Sequence, residues 1–551
     1  MTLSLNTGAV ATYDAAASRP GQAYVFKYTV KDDEVASDLS IISVNLNGAV
    51  LRDAEGKDAL ISSDLSLMSG TLKVNGYIGS AGNENFYGTS GAETFEGRGG
   101  DDIYRINNVG DRVIERKGDG HDTIVATLDF ALAEGVEVET IRAAKSIGAA
   151  DIKLTGNAFA QTLEGTEGRN VLDGRGGADI MRGKGGDDRY YVDSARDVVI
   201  EERGGGFDTI LTSVSFALAA GLEIEALEIA DPAKSSGSTV RLTGNEFANR
   251  LTGDRGDNVL DGGGGIDIMR GLGGNDTYTV DKARDQVIEA KGGGTDTVVT
   301  TVSYALTAGQ EIEALQLAAS TGSANLNLTG NEYGQTLIGN AGANRIDGGG
   351  GIDIMRGLGG NDTYTLDKAR DQVIEAKGGG TDTVVTTVSY ALTAGQEIEA
   401  LQLAASTGQA NLNLTGNEFA NAIRGNDGNN VLDGSSGSDI LTGRAGLDAF
   451  VFSTKLGAGN VDRITDFAPV DDTIRLSEDI FTALGAGPLR AAAFKDLSVA
   501  GAKVDASDRI LYDRDTGALS YDADGSGTAK AIKFAVLDNH AKLTHDDFFV
   551  V

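Results

Sequence analysis

The sequence predicts an all-β chain: a parallel β-roll or β-solenoid of repeats in 86-residue units, with a small β-sandwich-like segment at its N-terminus. Three observations predict it. The first is a nine-residue beat, Gly-x-x-Gly-x-Asp-x-hydrophobic-x, clearest where Gly262, Gly263, Gly265, Asp267 and Met269 are followed by Gly271, Gly274, Asp276 and Tyr278. The second is a longer repeat: Leu242, Leu328 and Leu414 open equivalent Leu-Thr-Gly-Asn-Glu segments 86 residues apart, and Leu154 opens a more divergent one. The third is composition, with 551 residues, 78 Gly, 4 Pro, 40% hydrophobic residues and neither Cys nor Trp. That length exceeds what one globular core serves, so several domains or a repeat architecture are expected.

Each position of the beat has a physical task. Glycines supply positive φ or close backbone approach in a tight turn; the acid is expected to point outward and the apolar residue inward. A six-residue loop and a very short strand then make half a coil. Stacked loops bring Asp oxygens and backbone carbonyls around a hard cation, which takes six to eight oxygen ligands at about 2.3–2.6 Å. The charge agrees: a formal net charge of −34 repels nucleic acid and anionic membrane surfaces and invites divalent cations. Without Cys, disulfides and thiolate-bound zinc are excluded, so a metal must be held by oxygen.

These residues carry a resemblance to the hemolysin-type nonapeptide repeat of the RTX family of secreted proteins, a parallel β-roll signature. The resemblance implies several bound Ca2+ ions and folding driven by them. The ligand candidates are Gly177, Asp179, Gly186 and Asp188; Gly262, Gly263, Gly265, Asp267, Gly271, Gly274 and Asp276; Gly351, Asp353, Gly360 and Asp362; and Asp439 and Asp448. In the first block Glu84 and Glu93 replace Asp, which leaves Asp102 as the good match and predicts weaker binding there. A lone Asp in a turn bonds nearby amides and means little; about ten in strict register point to calcium.

In order along the chain, residues 1–74 hold hydrophobic strands and the phrase NGAVLRDAEGKDALIS, which resembles the later strands of a bacterial immunoglobulin-like or cadherin-like domain. Its opening strands are missing from the pattern, as expected of a chain cut from a longer one or of a domain completed by a partner's strand. A divergent repeat unit follows at 75–153, then units at 154–241, 242–327 and 328–413 and a terminal block at 414–461. Each unit opens with four nonapeptide turns, in which Asn249 and Asn258 mark weaker turns and Asp267 and Asp276 better ones. The segments between rolls alternate with period two and keep half of the motif, as in Gly294, Asp296 and Val298, so they are expected to be wider coils of the same solenoid. Residues 261–322 and 347–408 differ only at Val280 and Leu366, a near-identity that suits a scaffold better than a single active site. Residues 462–551, ending in DDFFVV, resemble the C-terminal domain shared by serralysin-type proteases and other type I secretion substrates. Asp522, Asp524 and Ser526 are a weaker candidate loop there, lacking the bidentate Glu of an EF-hand.

No catalytic constellation emerges. None of the three histidines opens a His-Glu-x-x-His zinc motif, no Gly-x-Ser-x-Gly elbow occurs, and the glycine runs lack the Lys-Ser/Thr ending of a phosphate loop. Tyr190, Tyr278 and Tyr364 take the inward position of the last turn and read as core. The start MTLSLNTGAV has neither a basic nor an apolar region of a signal peptide, and no run of eighteen apolar residues predicts a membrane span. The expected protein is a non-enzymatic, secreted or cell-surface scaffold of a Gram-negative bacterium: surface layer, biofilm matrix, fibre or adhesin. Its expected partners are calcium, the type I secretion machinery, and further copies or a carbohydrate surface. The alternative is the calcium-folding and secretion module of a larger exported enzyme such as an alginate epimerase, lipase or protease.

Overall fold

The computed structural model describes residues 2–5, 10–14, 16, 26–27, 41–45, 76–234, 237–289, 291–375 and 377–551. All described regular structure is β-strand apart from a few single-turn 3-10 segments, and no described helix is long and apolar enough to cross a membrane. The chain divides into two compact units, Met1–Asp231 and Pro232–Val551.

The first unit begins with a small antiparallel sheet in which Thr2–Leu5 lies between Val10–Tyr13 and Ile41–Asn45, with Phe26–Lys27 beside Val10–Tyr13. The phrase NGAVLRDAEGKDALIS lies outside the described residues. From Gly76 the pairing becomes parallel, and strands two steps apart in sequence become neighbours. Thus Ile152–Thr155, Asn170–Asp173, Arg189–Val192, Thr209–Thr212 and Ala226–Ile229 form one ladder. Thr123–Ala126, Thr140–Ala143, Thr162–Glu164, Ile180–Arg182 and Val198–Ile200 form another. This is a solenoid: alternate strands go to alternate ladders because each nine-residue repeat has about six residues of loop and room for only about three of strand.

The second unit repeats the plan. Asn258–Asp261, Thr277–Val280 and Thr297–Thr300 stack in one ladder, while Arg250–Thr252, Ile268–Arg270 and Gln286–Ile288 stack in another. The segment after the roll continues the first ladder through Ala314–Leu317 and Thr336–Ile338 to Ile354–Arg356. It is therefore coil, as expected, and joins the repeat beginning at Leu242 to the one beginning at Leu328. Period-two alternation sends one apolar residue of each short strand inward, and Leu251, Leu260, Met269, Tyr278, Val298 and Leu315 are all fully buried. A fully buried side chain of this kind contributes about 1.5–3 kcal/mol.

Residues beyond Asp462 finish the stack. Ile532–Leu537 runs parallel to Asp462–Ile464 and carries Ala518–Tyr521 antiparallel on its other side. Phe548–Val550 pairs with Thr473–Leu476. Phe467, Phe481, Phe534 and Phe548 fill the space beneath. Such an end covers strand edges that would otherwise recruit another chain.

Candidate metal centres

The loops alternate between two edges of the solenoid. Residues 262–267 lead from Asn258–Asp261 to Ile268–Arg270, and residues 271–276 lead back to Thr277–Val280. The glycines of one loop have two different tasks. Gly265 sits at φ +108° against the Phe247 carbonyl of the preceding coil, a conformation and a closeness that a side chain does not tolerate. Gly263 (+75°), Gly274 (+104°), Gly177 (+129°), Gly186 (+98°), Gly351 (+101°) and Gly360 (+101°) are likewise left-handed. Gly262 and Gly271 are not; a methyl there would instead strike Oδ2 of Asp267 and of Asp276.

The acids do not point outward. Asp102, Asp179, Asp267, Asp353 and Asp439 are 0% exposed, and Asp188, Asp276, Asp362 and Asp448 are 1–2% exposed. The cause is the backbone of the loops, whose N–H groups need acceptors that the short strands do not supply. Oδ1 of Asp267 accepts the Asn249 N–H at 2.8 Å, and the Asp267 N–H donates to Asp285 Oδ1 at 3.1 Å. Asp276 joins Asn258 and Asp296 in the same way. Asp102, Asp179, Asp188, Asp353, Asp362, Asp439 and Asp448 each accept the N–H of the preceding coil at 2.6–2.7 Å. Each edge is thus a ladder of acid and amide side chains.

Oδ1 is used, but Oδ2 is not. Oδ2 of Asp179, Asp188, Asp267, Asp276, Asp353, Asp362, Asp439 and Asp448 is buried with no hydrogen-bond partner among the described residues. A buried carboxylate without a counter-charge is costly, and burial pushes Asp267 and Asp353 up to about 7 and Asp276 up to about 8. Burial beside Asp462 likewise raises Asp439. These orphaned oxygens fit a cation.

Further acids converge on them. On one edge Asp267 meets Asp281 and Asp285; on the other Asp276 meets Glu289 and Asp296, with one oxygen of each residue within 4.8 Å of the others. The second arrangement recurs as Asp102–Glu115–Asp122, Asp188–Glu201–Asp208 and Asp362–Glu375–Asp382. Oxygens about 2.3–2.6 Å from one ion lie at most about 5 Å apart, so each cluster has the dimensions of a single site. With oxygen as the donor, the site suits a hard ion such as calcium. Of the expected residues, the structure brings Asp102, Asp188, Asp267, Asp276 and Asp362 into such clusters; the left-handed glycines shape the loops.

The glutamates were not among the sequence candidates, because they lie outside the nonapeptide. Their signal was a constant spacing, 13 residues after one Asp and seven before the next, in four repeats. Glu84 and Glu93 make short bonds to the Ser80 and Thr89 hydroxyls, which leaves Asp102 as the nonapeptide acid that the first block contributes to its cluster. Asp524 accepts the Ala529 N–H at 3.0 Å within a turn and joins no described cluster. His121 is largely exposed.

No curated protein matches the chain. The family described as RTX calcium-binding nonapeptide repeat (4 copies) matches residues 78–105, 155–190, 243–278, 329–364 and 415–449. The last four of these segments contain turns whose Asp oxygens stand unpaired, and the chain accordingly carries RTX calcium-binding nonapeptide repeats on a β-solenoid fold.

Proposed function

We propose that this protein is a non-enzymatic, secreted scaffold, exported unfolded by a type I system from a Gram-negative cell and folded outside by calcium into structural or adhesive material. The observation that carries the reading is the repetition of buried, unpaired Asp Oδ2 atoms along both edges. A chain with so many uncompensated carboxylates is disfavoured in its compact form where calcium is scarce, and mass action favours that form where calcium is abundant. Repetition of the same site from coil to coil suits a load-bearing element. The tail from Asp546 to Val551 serves as the export signal before folding and closes a ladder afterwards. Surface layer, biofilm matrix, fibre and adhesin are the roles that such a scaffold fits.

Far-ultraviolet circular dichroism and light scattering, followed together from chelator to about 10 mM calcium, test the reading; the upper limit exceeds the weak extracellular range of about 10⁻⁴–10⁻³ M. A cooperative rise in β signal with growing particle size is expected. Folding without assembly would transfer the chain to the role of module in a larger exported enzyme. A signal indifferent to calcium would overturn both.

A further inference from the structure

We infer that the chain holds two chemically distinct classes of calcium site, and that Glu115, Glu201, Glu289 and Glu375 complete the tighter class by adding, from outside the nonapeptide repeat, a glutamate that sits beside a buried tyrosine. The inference rests on the calcium-binding reading above and deepens it.

The argument begins at a glycine. A methyl at Gly97 would collide at once with the Tyr104 hydroxyl, Asp102 Oδ2 and Glu115 Oε1, so these three oxygens converge on the space that the glycine leaves open. The same space recurs at Gly183, Gly271 and Gly357, each facing an Asp Oδ2 and a Tyr hydroxyl. The hydroxyls of Tyr104, Tyr278 and Tyr364 donate short hydrogen bonds to Glu115, Glu289 and Glu375, which aims the glutamate at the cluster. In the remaining repeat the Tyr190 hydroxyl and Glu201 Oε1 are both buried without a partner among the described residues.

Three independent features separate this from an acidic cluster of the ordinary kind. Unpaired oxygens on nearly inaccessible residues face the space, those of Asp276 and Asp362 through Oδ2, each residue 1% exposed, and Glu115, 4% exposed, keeps its Oε2 buried without a partner among the described residues. The glutamate lies inside the protein, since Glu289 is 3% and Glu375 4% exposed, where an unneutralised acid is disfavoured. Tyr and Glu also occur together: the terminal block has Phe450 in place of the tyrosine, facing Asp448 Oδ2 across Gly443, and no glutamate reaches it. Calcium affinity rises with the number of charged ligands and the rigidity of the site; the Asp267–Asp281–Asp285 cluster also has three carboxylates, but Asp281 is only half-buried and pairs with Lys282, so the site whose glutamate a tyrosine holds binds ahead of it. Because Glu289 sits immediately after strand Gln286–Ile288 and Asp296 immediately before strand Thr297–Thr300, such an ion fastens the wider coil to the roll that precedes it.

The tyrosine supplies the readout. Terbium(III) substitutes for calcium at oxygen sites and luminesces when a nearby aromatic ring is excited; the chain has no Trp, so tyrosine is the donor. Full-length protein titrated with terbium is expected to show tyrosine-sensitised emission that calcium displaces. Replacing Glu115, Glu201, Glu289 and Glu375 by Gln is expected to abolish most of that emission and remove the tightest calcium class in isothermal titration, leaving the weaker class. Unchanged emission and an unchanged tight class would overturn the inference. Should the fourfold variant fail to fold, Tyr278→Phe with Tyr364→Phe decides: emission that falls with calcium stoichiometry intact supports the site, and undiminished emission refutes it. Wild-type protein that bound no calcium would refute the functional reading itself, a result distinct from either.

Discussion

Replacing Asp267 and Asp353 by Asn should change stability in opposite directions with and without calcium. The ladder accommodates the amide, because Asn249, Asn258, Asn344, Asn421 and Asn430 already occupy equivalent buried rungs. Asn430 shows how, its Nδ2 donating to the Leu412 carbonyl at 2.9 Å. Asp267 is raised from 3.8 to about 7 by burial first, its hydrogen bond from Asn249 opposing and Asp285 adding to the rise. At about 1.4 kcal/mol per unit, ionising it in the calcium-free fold at pH 8 costs about 4 kcal/mol relative to the unfolded chain. An amide removes that cost but leaves its NH2 without the partner that Asn430 has, which returns about 1–3 kcal/mol. The calcium-free variant should therefore gain about 1–3 kcal/mol at each site. In calcium it should lose the ion: at 1,000-fold excess over Kd a site contributes about 4.1 kcal/mol, which outweighs that gain and leaves the variant about 1–3 kcal/mol less stable. Urea denaturation at pH 8, in chelator and in calcium, reads both effects; since a solenoid unfolds in segments, the relevant quantity is the shift of the transition that includes these coils. Equal loss of stability in both conditions would show that the carboxylates act as turn formers rather than ligands, and would refute the reasoning.

Two further outcomes follow from the same oxygens. Asp267, Asp296, Asp353 and Asp382 rise to about 7, and Asp276 to about 8. A raised carboxylate contributes stability that is full below its unfolded value near 4 and lost as pH rises through the folded value. Calcium-free protein should accordingly lose stability between about pH 4 and 8 and regain it at pH 8 on adding calcium; a thermal midpoint in chelator that rose across that range would contradict the burial argument. Gly357→Ala places a methyl against Asp362 Oδ2 and the Tyr364 hydroxyl, and overpacking of this kind costs about 1–3 kcal/mol. Gly459→Ala, with open space at its methyl, should be close to neutral by the same denaturation assay, and equal effects would remove the packing explanation.

The nonapeptide beat by itself determined the parallel solenoid, the inward column of Leu260, Met269 and Tyr278, and the positions of the nonapeptide acids. Those features are local: glycine spacing sets the loop, and alternation sets which side chain enters the core. It also placed the segments after each roll within the coil, through the half motif at Gly294, Asp296 and Val298. Only the tertiary structure decided where the acids point. An Asp at a tight turn reads as solvent-facing, yet stacked loops present unpaired N–H groups 18 residues upstream, and satisfying them draws Asp267 inside toward Asn249. The same stacking brings Glu289 onto Asp276, because residues 13 apart meet only when a strand and a loop intervene and the coil closes. Sequence fixes what repeats; which oxygens share an ion depends on how one coil lies upon the next.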